Sequence, residues 1–168
     1  MKKLVLFLFA TFLITYTYSQ KTDVKPTVYY LIRHAEKDIT NPNERDPNLT
    51  KTGLSRAKKW SEVLKYVHFD AVYSTNFIRT KLTASPTAKA NNIEITIYDP
   101  NTVNIKTFKT KNKSKTVLIV GHSNSTPSFV NNLLDKSKYE KIDESVYGNL
   151  YIVTIINGKA TSQFLQIN

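Results

Sequence analysis

Two stretches of sequence decide the fold of this chain: LIRHAEK at residues 31–37 and VGHSN at residues 120–124. Each stretch places a histidine, His34 or His122, at the end of an apolar run that is typical of a buried strand. The parallel strands of an α/β sheet end at one shared edge, and ligands bind along that edge. We therefore expect the two histidines and Arg33 to meet in one cleft, as in an active site for an anion.

Residues 1–19 have the composition of a secretory signal peptide. A basic start precedes an apolar stretch over residues 4–14, and small residues precede a cleavage site before Gln20. An uncleaved membrane anchor is the alternative, but the apolar stretch is shorter than the roughly 20 residues that a spanning helix needs. We predict a signal peptide over residues 1–19 and one domain over residues 20–168. The protein is then secreted or periplasmic, with no stable membrane insertion after cleavage.

The chain is strongly basic, with 24 lysine and arginine residues against 13 acidic residues and a formal net charge of +11. Such a charge favours anionic partners. The lysines are scattered, apart from a group within residues 106–115, and the aromatic residues lie mostly in strand-like runs. A nucleic-acid interface would interleave the two, so we expect no nucleic acid as partner. We interpret the lysines as a solvated surface that would help to draw in a phosphorylated substrate. Since the sequence has no cysteine, disulfides, thiolate metal sites and thiol catalysis are excluded.

Hydrophobic periodicity predicts strands and helices in alternation, followed by a hairpin. Strands are predicted over residues 27–32, 69–73, 93–97 and 116–120. One helix is predicted after Thr50, a second over residues 76–91, and a third near Pro127. Residues 103–108 show only weak helical spacing. Residues 150–156 and 161–167 flank Asn157-Gly158, a preferred hairpin turn. The order predicts an α/β fold, a three-layer α/β/α sandwich whose mostly parallel sheet ends in a C-terminal antiparallel hairpin.

The helix predicted over residues 76–91 carries two finer expectations. Pro86 lies inside it and should kink or divide it, because proline has no N–H for the helical ladder. Apolar residues at Ile78, Leu82, Ala84 and Ala88 are expected to form its inner face.

Four blocks of sequence together resemble the histidine phosphatase superfamily, the phosphoglycerate-mutase-like proteins. The blocks are LIRHAEK at residues 31–37, LTKTGLSRA at 49–57, YST at 73–75 with RTKLTA at 79–84, and VGHS at 120–123. They occur in the order of the family and at similar spacing. An isolated Arg-His pair would be a weak signal, but four ordered blocks are a strong one.

The resemblance implies roles for individual residues. His34 would be the nucleophile that becomes phosphohistidine, while Arg33, Arg79 and His122 would bind the oxygens of the phosphate. His122 acts best as a charged donor, so a raised pKa beside bound phosphate is expected. Ser123 and Asn41 are further candidates for substrate binding. No metal and no cofactor are expected.

The proton donor is the part of the pattern that this chain departs from. The family usually supplies a carboxylic acid after the third strand or directly after the second histidine. Position 123 is serine, so Asp99, at the end of the third predicted strand, is the best-placed candidate. Glu36 lies close to the nucleophile in sequence but could equally form an ion pair with Lys37.

Several alternative functions remain open at this point. GHSNS at residues 121–125 partly matches the nucleophile elbow of serine hydrolases, although no histidine follows it in the chain. A metal enzyme built on both histidines would need carboxylate ligands. The two remaining alternatives are a mutase and a non-catalytic domain that binds a phosphorylated ligand. The binding domain is the main alternative, because the proton donor to the leaving group is uncertain. We predict a metal-independent phosphatase that hydrolyses a phosphate monoester or another phosphorylated small molecule.

Overall fold

The computed structural model describes residues 24–167, so the predicted signal peptide lies outside the described residues. The strands are β1 (Thr27–Arg33), β2 (Ala71–Ser74), β3 (Ile95–Ile97), β4 (Thr116–Gly121), β5 (Asn149–Ile156) and β6 (Lys159–Gln166). The helices are α1 (Lys51–Val63), α2 (Ile78–Ala90), α3 (Ile105–Lys111) and α4 (Ser125–Leu134). Within residues 24–167, none of these helices is both long and apolar enough to cross a membrane.

The strands form one sheet in the order β3-β2-β4-β1-β5-β6. The first four of these strands run parallel to one another, and β5 pairs antiparallel with both β1 and β6. The predicted α/β fold with a mostly parallel sheet and a C-terminal antiparallel hairpin is therefore confirmed. The turn of the hairpin has positive φ at both Asn157 and Gly158, at 51° and 78°, as a two-residue turn of this type requires.

The sheet is covered on both faces because alternate side chains of its central strands point to opposite sides. On one face, residues such as Leu31 and Ile119 pack with Phe108 of α3 and Phe129 of α4. On the other face, residues such as Ile32, Leu118 and Val120 pack with Trp60 and Leu64 of the α1 region and with Ala84 and Ala88 of α2. These two apolar clusters are the outer interfaces of a three-layer sandwich.

Helix α2 differs from its prediction in two ways. It runs unbroken from Ile78 to Ala90 with Pro86 inside it, so the proline does not divide it. Its buried face is formed by threonines and small residues, namely Thr80, Thr83, Ala84, Thr87 and Ala88, whereas Ile78 is exposed. The burial predicted for Ala84 and Ala88 is therefore confirmed. The apolar pattern misses the threonines because it does not record hydrogen bonds such as the one that Thr83 Oγ1 accepts from the Ala35 N–H.

The first helix is fixed against the loop that follows β1. The Thr50 side chain caps α1 by accepting from the Gly53 N–H at 3.0 Å, and the Thr50 N–H donates to the Glu36 carbonyl at 2.9 Å. A Cβ at position 53 would lie 2.3 Å from that same carbonyl oxygen. Only glycine therefore allows α1 to approach the segment next to His34 this closely.

Candidate active site

Parallel pairing of β1 with β4 brings the two histidines together. Arg33 is aligned with Gly121 at the ends of these strands, and the His34 N–H continues the ladder to the Gly121 carbonyl at 2.9 Å. His34 directly follows β1 and His122 directly follows β4, and their ring centroids lie 5.4 Å apart. The structure thus places both histidines at the carboxyl edge of the sheet, where the sequence puts the cleft.

His34 is buried and held in one tautomer. Its Nδ1 lies 2.7 Å from the Ala35 carbonyl oxygen, and because a carbonyl only accepts, Nδ1 carries the proton and Nε2 keeps its lone pair. Burial lowers the pKa of His34 to about 3, and the charge of Arg33 acts in the same direction. The imidazole is therefore neutral at ordinary pH, which is the state that a nitrogen nucleophile requires.

His122 is held between a hydroxyl and an arginine. Its Nε2 lies 2.9 Å from Thr75 Oγ1, and Arg79 Nη2 lies 3.5 Å from its Nδ1. Burial and the charges of Arg79 and Arg33 lower the pKa of His122 to about 4. From the sequence we expect bound phosphate to raise the pKa of His122. The two arginines act in the opposite direction.

Arg33 is almost fully buried, at 1% exposure, and binds the loop between α4 and β5. Its Nη1 donates to the carbonyls of Asp143, Glu144 and Val146 at 2.9–3.0 Å, and its Nη2 forms an ion pair with the Glu144 carboxylate. The Tyr147 ring lies 4.3 Å from the guanidinium carbon. Among residues 24–167, no acceptor pairs with its Nε–H, so this donor remains for a ligand.

Arg79 occupies the first turn of α2 on the other side of the site. Its Nη1 pairs with Asp46 at 3.3 Å, and the Phe77 ring lies 4.3 Å from its guanidinium carbon. The Asp46 carboxylate also accepts from the Ile78 N–H at 2.8 Å and so caps α2 from a distant loop. As for Arg33, the described part of the chain provides no acceptor for the buried Nε–H of Arg79.

Threonines of α2 connect these groups to one another. Thr83 Oγ1 accepts from the Ala35 N–H at 2.9 Å and donates to the Arg79 carbonyl at 2.7 Å. Thr75, the partner of His122, donates to Thr80 Oγ1 at 3.0 Å. The inner face of α2 thereby fixes the backbone next to the nucleophile and the hydroxyl beside the second histidine.

The other predicted site residues are placed less centrally. Ser123 Oγ donates to Glu144 Oε1 at 2.7 Å, so its partner is a carboxylate rather than the histidine that a serine nucleophile would need. Asn41 is exposed and accepts from the Asn43 N–H at 3.1 Å. It also lines a cavity of about 230 Å³ that Arg79 borders.

The two candidate acids of the sequence analysis have other partners. Asp99 is exposed and accepts from the Asn101 N–H at 2.9 Å, and no described contact joins its carboxylate to either histidine. Glu36 pairs with Arg56 at 2.7 Å rather than with Lys37. The role of Asp99 stays a prediction.

Sequence reasoning missed several residues of this site. Thr75, Phe77 and Tyr147 contact the histidines, while Asp46 and Glu144 pair with the two arginines. Asp46 and Glu144 lie in loops, where neither periodicity nor a motif distinguishes them from other acidic residues. Among the described residues, no group of three His, Cys, Asp or Glu side chains is arranged to hold a metal ion.

Comparison with known proteins identifies a family model and a relative that match part of this chain. Residues 29–100 match the family model of the histidine phosphatase superfamily, branch 1. Phosphoserine phosphatase 1 of Hydrogenobacter thermophilus is 40% identical over 70 residues, which are 39% of this chain and 33% of the relative. The matched region thus spans about a third of that curated relative's length.

Solved structures extend the likeness to most of the described chain. The alpha-ribazole phosphatase from Shigella flexneri aligns with a TM-score of 0.67 at 16% identity, over 83% of this chain and 96% of that chain. A phosphoglycerate mutase from Bacillus anthracis aligns with a TM-score of 0.60 at 15% identity, over 87% and 95%. At these identities the likeness is one of fold. Residues 29–100 are thus similar to the histidine phosphatase superfamily, and the described chain shares the phosphoglycerate mutase-like fold of these structures.

Proposed function

We propose that this protein is a phosphatase that hydrolyses a phosphorylated small molecule through a phosphohistidine intermediate on His34. The observation that carries the proposal is the state of the His34 ring. Its Nδ1 proton is used by the Ala35 carbonyl, its pKa of about 3 keeps it neutral, and its Nε2 lone pair is available. Two arginines and a second histidine surround it, and these are donors suited to the oxygens of a phosphate.

In the first step, His34 Nε2 attacks phosphorus as the bond from phosphorus to the leaving oxygen breaks. The electron pair of that bond stays on the leaving oxygen, which takes a proton from an acid. Arg33, Arg79 and His122 bind the remaining phosphate oxygens while the negative charge on those oxygens is redistributed. Donors held in place before the reaction are worth most in a site that excludes water. In the second step, water attacks phosphorus, the N–P bond breaks, and phosphate leaves with His34 restored.

The proposed reaction is metal-independent because the positive charge that phosphoryl transfer needs comes from side chains. Arg33 and Arg79 are permanently charged, and His122 gains charge when a phosphate dianion offsets the cations that lower its pKa. Unchanged turnover after exhaustive chelation would support this part of the proposal, and loss of turnover that added metal restores would contradict it.

The substrate proposed is a phosphate monoester of a small molecule. The curated relative is named for phosphoserine, and a cavity of about 230 Å³ adjoins the site beside Arg79. Lys37, Arg45 and Asn41 line that cavity. The net charge of +11 favours the approach of an anion.

The non-catalytic alternative is favoured by one observation, the Glu144 carboxylate on Arg33. Incubation of the purified protein with para-nitrophenyl phosphate from pH 4 to 8 separates the two functions. We expect turnover that disappears in His34→Ala, whereas the exposed His68→Ala variant retains it. Binding of vanadate without turnover in the wild type would instead identify a phospho-ligand-binding domain.

We further propose that the protein is secreted or periplasmic after cleavage of residues 1–19, and that it takes neither nucleic acid nor membrane as a stable partner. The basic and apolar start of the chain supports this location. Fractionation of the producing cells followed by N-terminal sequencing tests it. A mature protein that starts at Gln20 is expected, and an intact N-terminus in the cytoplasmic fraction would contradict the proposal.

A further inference from the structure

The loop between α4 and β5 lies against both strand ends of the site. The Ile142 N–H donates to the Ser123 carbonyl at 2.9 Å. Arg33 Nη1 binds three backbone carbonyls of residues 143–146. Tyr147, at the end of this loop, lies 6.4 Å from the His34 ring between centroids. Backbone contacts therefore fix the position of Glu144 in the site, whatever its carboxylate does.

The Glu144 carboxylate binds two residues that were predicted to bind substrate. Its Oε1 accepts from Ser123 Oγ at 2.7 Å, and its Oε2 pairs with Arg33 Nη2. Lys141 Nζ adds a contact at 3.3 Å. The side chain is 58% exposed, so it exchanges protons with solvent. A carboxylate is thus held at the boundary between the phosphate-binding arginine and the solvent side of the site, where a leaving group would lie.

We propose that Glu144 is the proton donor to the leaving group in this phosphatase, an inference that rests on the proposed function of the site. As the N–P bond to His34 forms, the oxygen that leaves phosphorus takes the proton of the Glu144 carboxyl group. Glu144 is then a carboxylate, and it accepts a proton from the water that attacks the phosphohistidine. Each turnover returns the carboxyl group to its starting state.

Charge in the site supports this exchange. The hydrogen bond from Ser123, followed by the charges of Arg33 and Lys141, holds the pKa of Glu144 below its usual value. A phosphate dianion on Arg33 adds negative charge beside the carboxylate and competes for the same guanidinium. Both effects favour the protonated form of Glu144, so substrate binding itself would prepare the acid.

Asp99 is less well placed for the same role. It follows β3, and β2 and β4 lie between that strand and β1. With about 4.8 Å between neighbouring strands, β3 is about 14 Å from the strand that carries His34. Glu144, by contrast, contacts the residue that directly precedes His34.

The test compares poor and good leaving groups in matched variants. Glu144→Gln keeps the size of the side chain but removes the acid, and Glu140→Gln is the control because Glu140 is exposed in the same loop. We expect Glu144→Gln to lower kcat for O-phosphoserine about 100-fold or more. For para-nitrophenyl phosphate, whose leaving group needs little protonation, the loss should be less than about tenfold. Glu144→Asp should recover part of the phosphoserine activity, and Glu140→Gln should equal the wild type.

Other outcomes would overturn the proposal. Equal losses on both substrates would assign Glu144 a structural role only, and no loss on either would remove it from the reaction. A selective loss on phosphoserine in Asp99→Asn, but not in Glu144→Gln, would make Asp99 the donor. If Glu144→Gln fails to fold, Glu144→Ala, which removes the carboxyl group and leaves the backbone contacts of the loop in place, should show the same selective loss. Absence of turnover in the wild type would instead remove the proposed function.

Discussion

The two arginines of the site have similar surroundings but different freedom. Each pairs with a carboxylate from a loop and stacks on an aromatic ring, Glu144 and Tyr147 for Arg33 and Asp46 and Phe77 for Arg79. Arg33, however, also donates to three backbone carbonyls and is almost fully buried. Arg79 makes one ion pair at 3.3 Å and a contact with His122 at 3.5 Å.

This difference indicates a division of labour between the two sides. Arg33 anchors the loop that carries Glu144 and Tyr147, and it keeps few donors for a ligand. Arg79 has fewer competing acceptors, so it can give more of its guanidinium to phosphate. The same residue type therefore serves mainly to build the site at one position and mainly to bind at the other.

Replacing each arginine with alanine should have the largest effects, on stability at position 33 and on ligand binding at position 79. Arg33→Ala removes three part-buried hydrogen bonds to backbone carbonyls and the cation that pairs with Glu144, so we expect unfolding free energy to fall by about 3 kcal/mol. Arg79→Ala breaks one partly exposed ion pair and should cost about 1 kcal/mol or less, while weakening vanadate binding by tenfold or more. Urea unfolding and vanadate titration measure both. An Arg33→Ala protein of wild-type stability would contradict the division.

The pH dependence of stability should report the two histidines. Their pKa values, about 3 and 4 in the folded protein, are below the unfolded value of 6.5. Below pH 6.5 the unfolded chain therefore binds protons that the folded chain does not, and stability falls as the pH is lowered toward 4. Thermal unfolding between pH 7 and pH 5 avoids the range in which Asp143 and Glu144, with lowered pKa values, take up protons.

Two variants sharpen that measurement. His122→Gln should flatten the dependence between pH 6.5 and pH 5, and His68→Gln, at an exposed position, is the control. A wild-type protein whose midpoint does not fall over this interval would show that neither histidine is held neutral by burial.

The smallest expected effect concerns Asp46, which caps α2 and pairs with Arg79. Asp46→Ala removes both interactions and should cost about 1 kcal/mol of unfolding free energy. Asp46→Asn keeps an oxygen that accepts from the Ile78 N–H and should cost less than half of that. Equal losses in the two variants, measured by urea unfolding, would show that the ion pair rather than the cap carries the effect.

Much of the fold was predictable from local sequence because its signals are local. Buried strands such as β1 and β4 are continuous apolar runs, and Asn157-Gly158 encodes its own turn. Helix α2 was predicted less well, since three of its buried residues are threonines, which an apolar pattern does not identify. The histidines were placed because the ends of parallel strands share an edge. The sequence did not place Glu144 in the site, because its contacts with Arg33 and Ser123 span 111 and 21 residues.

The measurement that tests the account most directly is the location of the phosphoryl group during turnover. The protein is mixed with para-nitrophenyl phosphate, quenched rapidly in alkali, in which phosphohistidine survives, and examined by mass spectrometry and ³¹P NMR. We predict one phosphoryl group on His34 Nε2, absent from His34→Ala. Phosphate on another residue, such as Ser123, or turnover with no phosphoenzyme at any time, would contradict the mechanism.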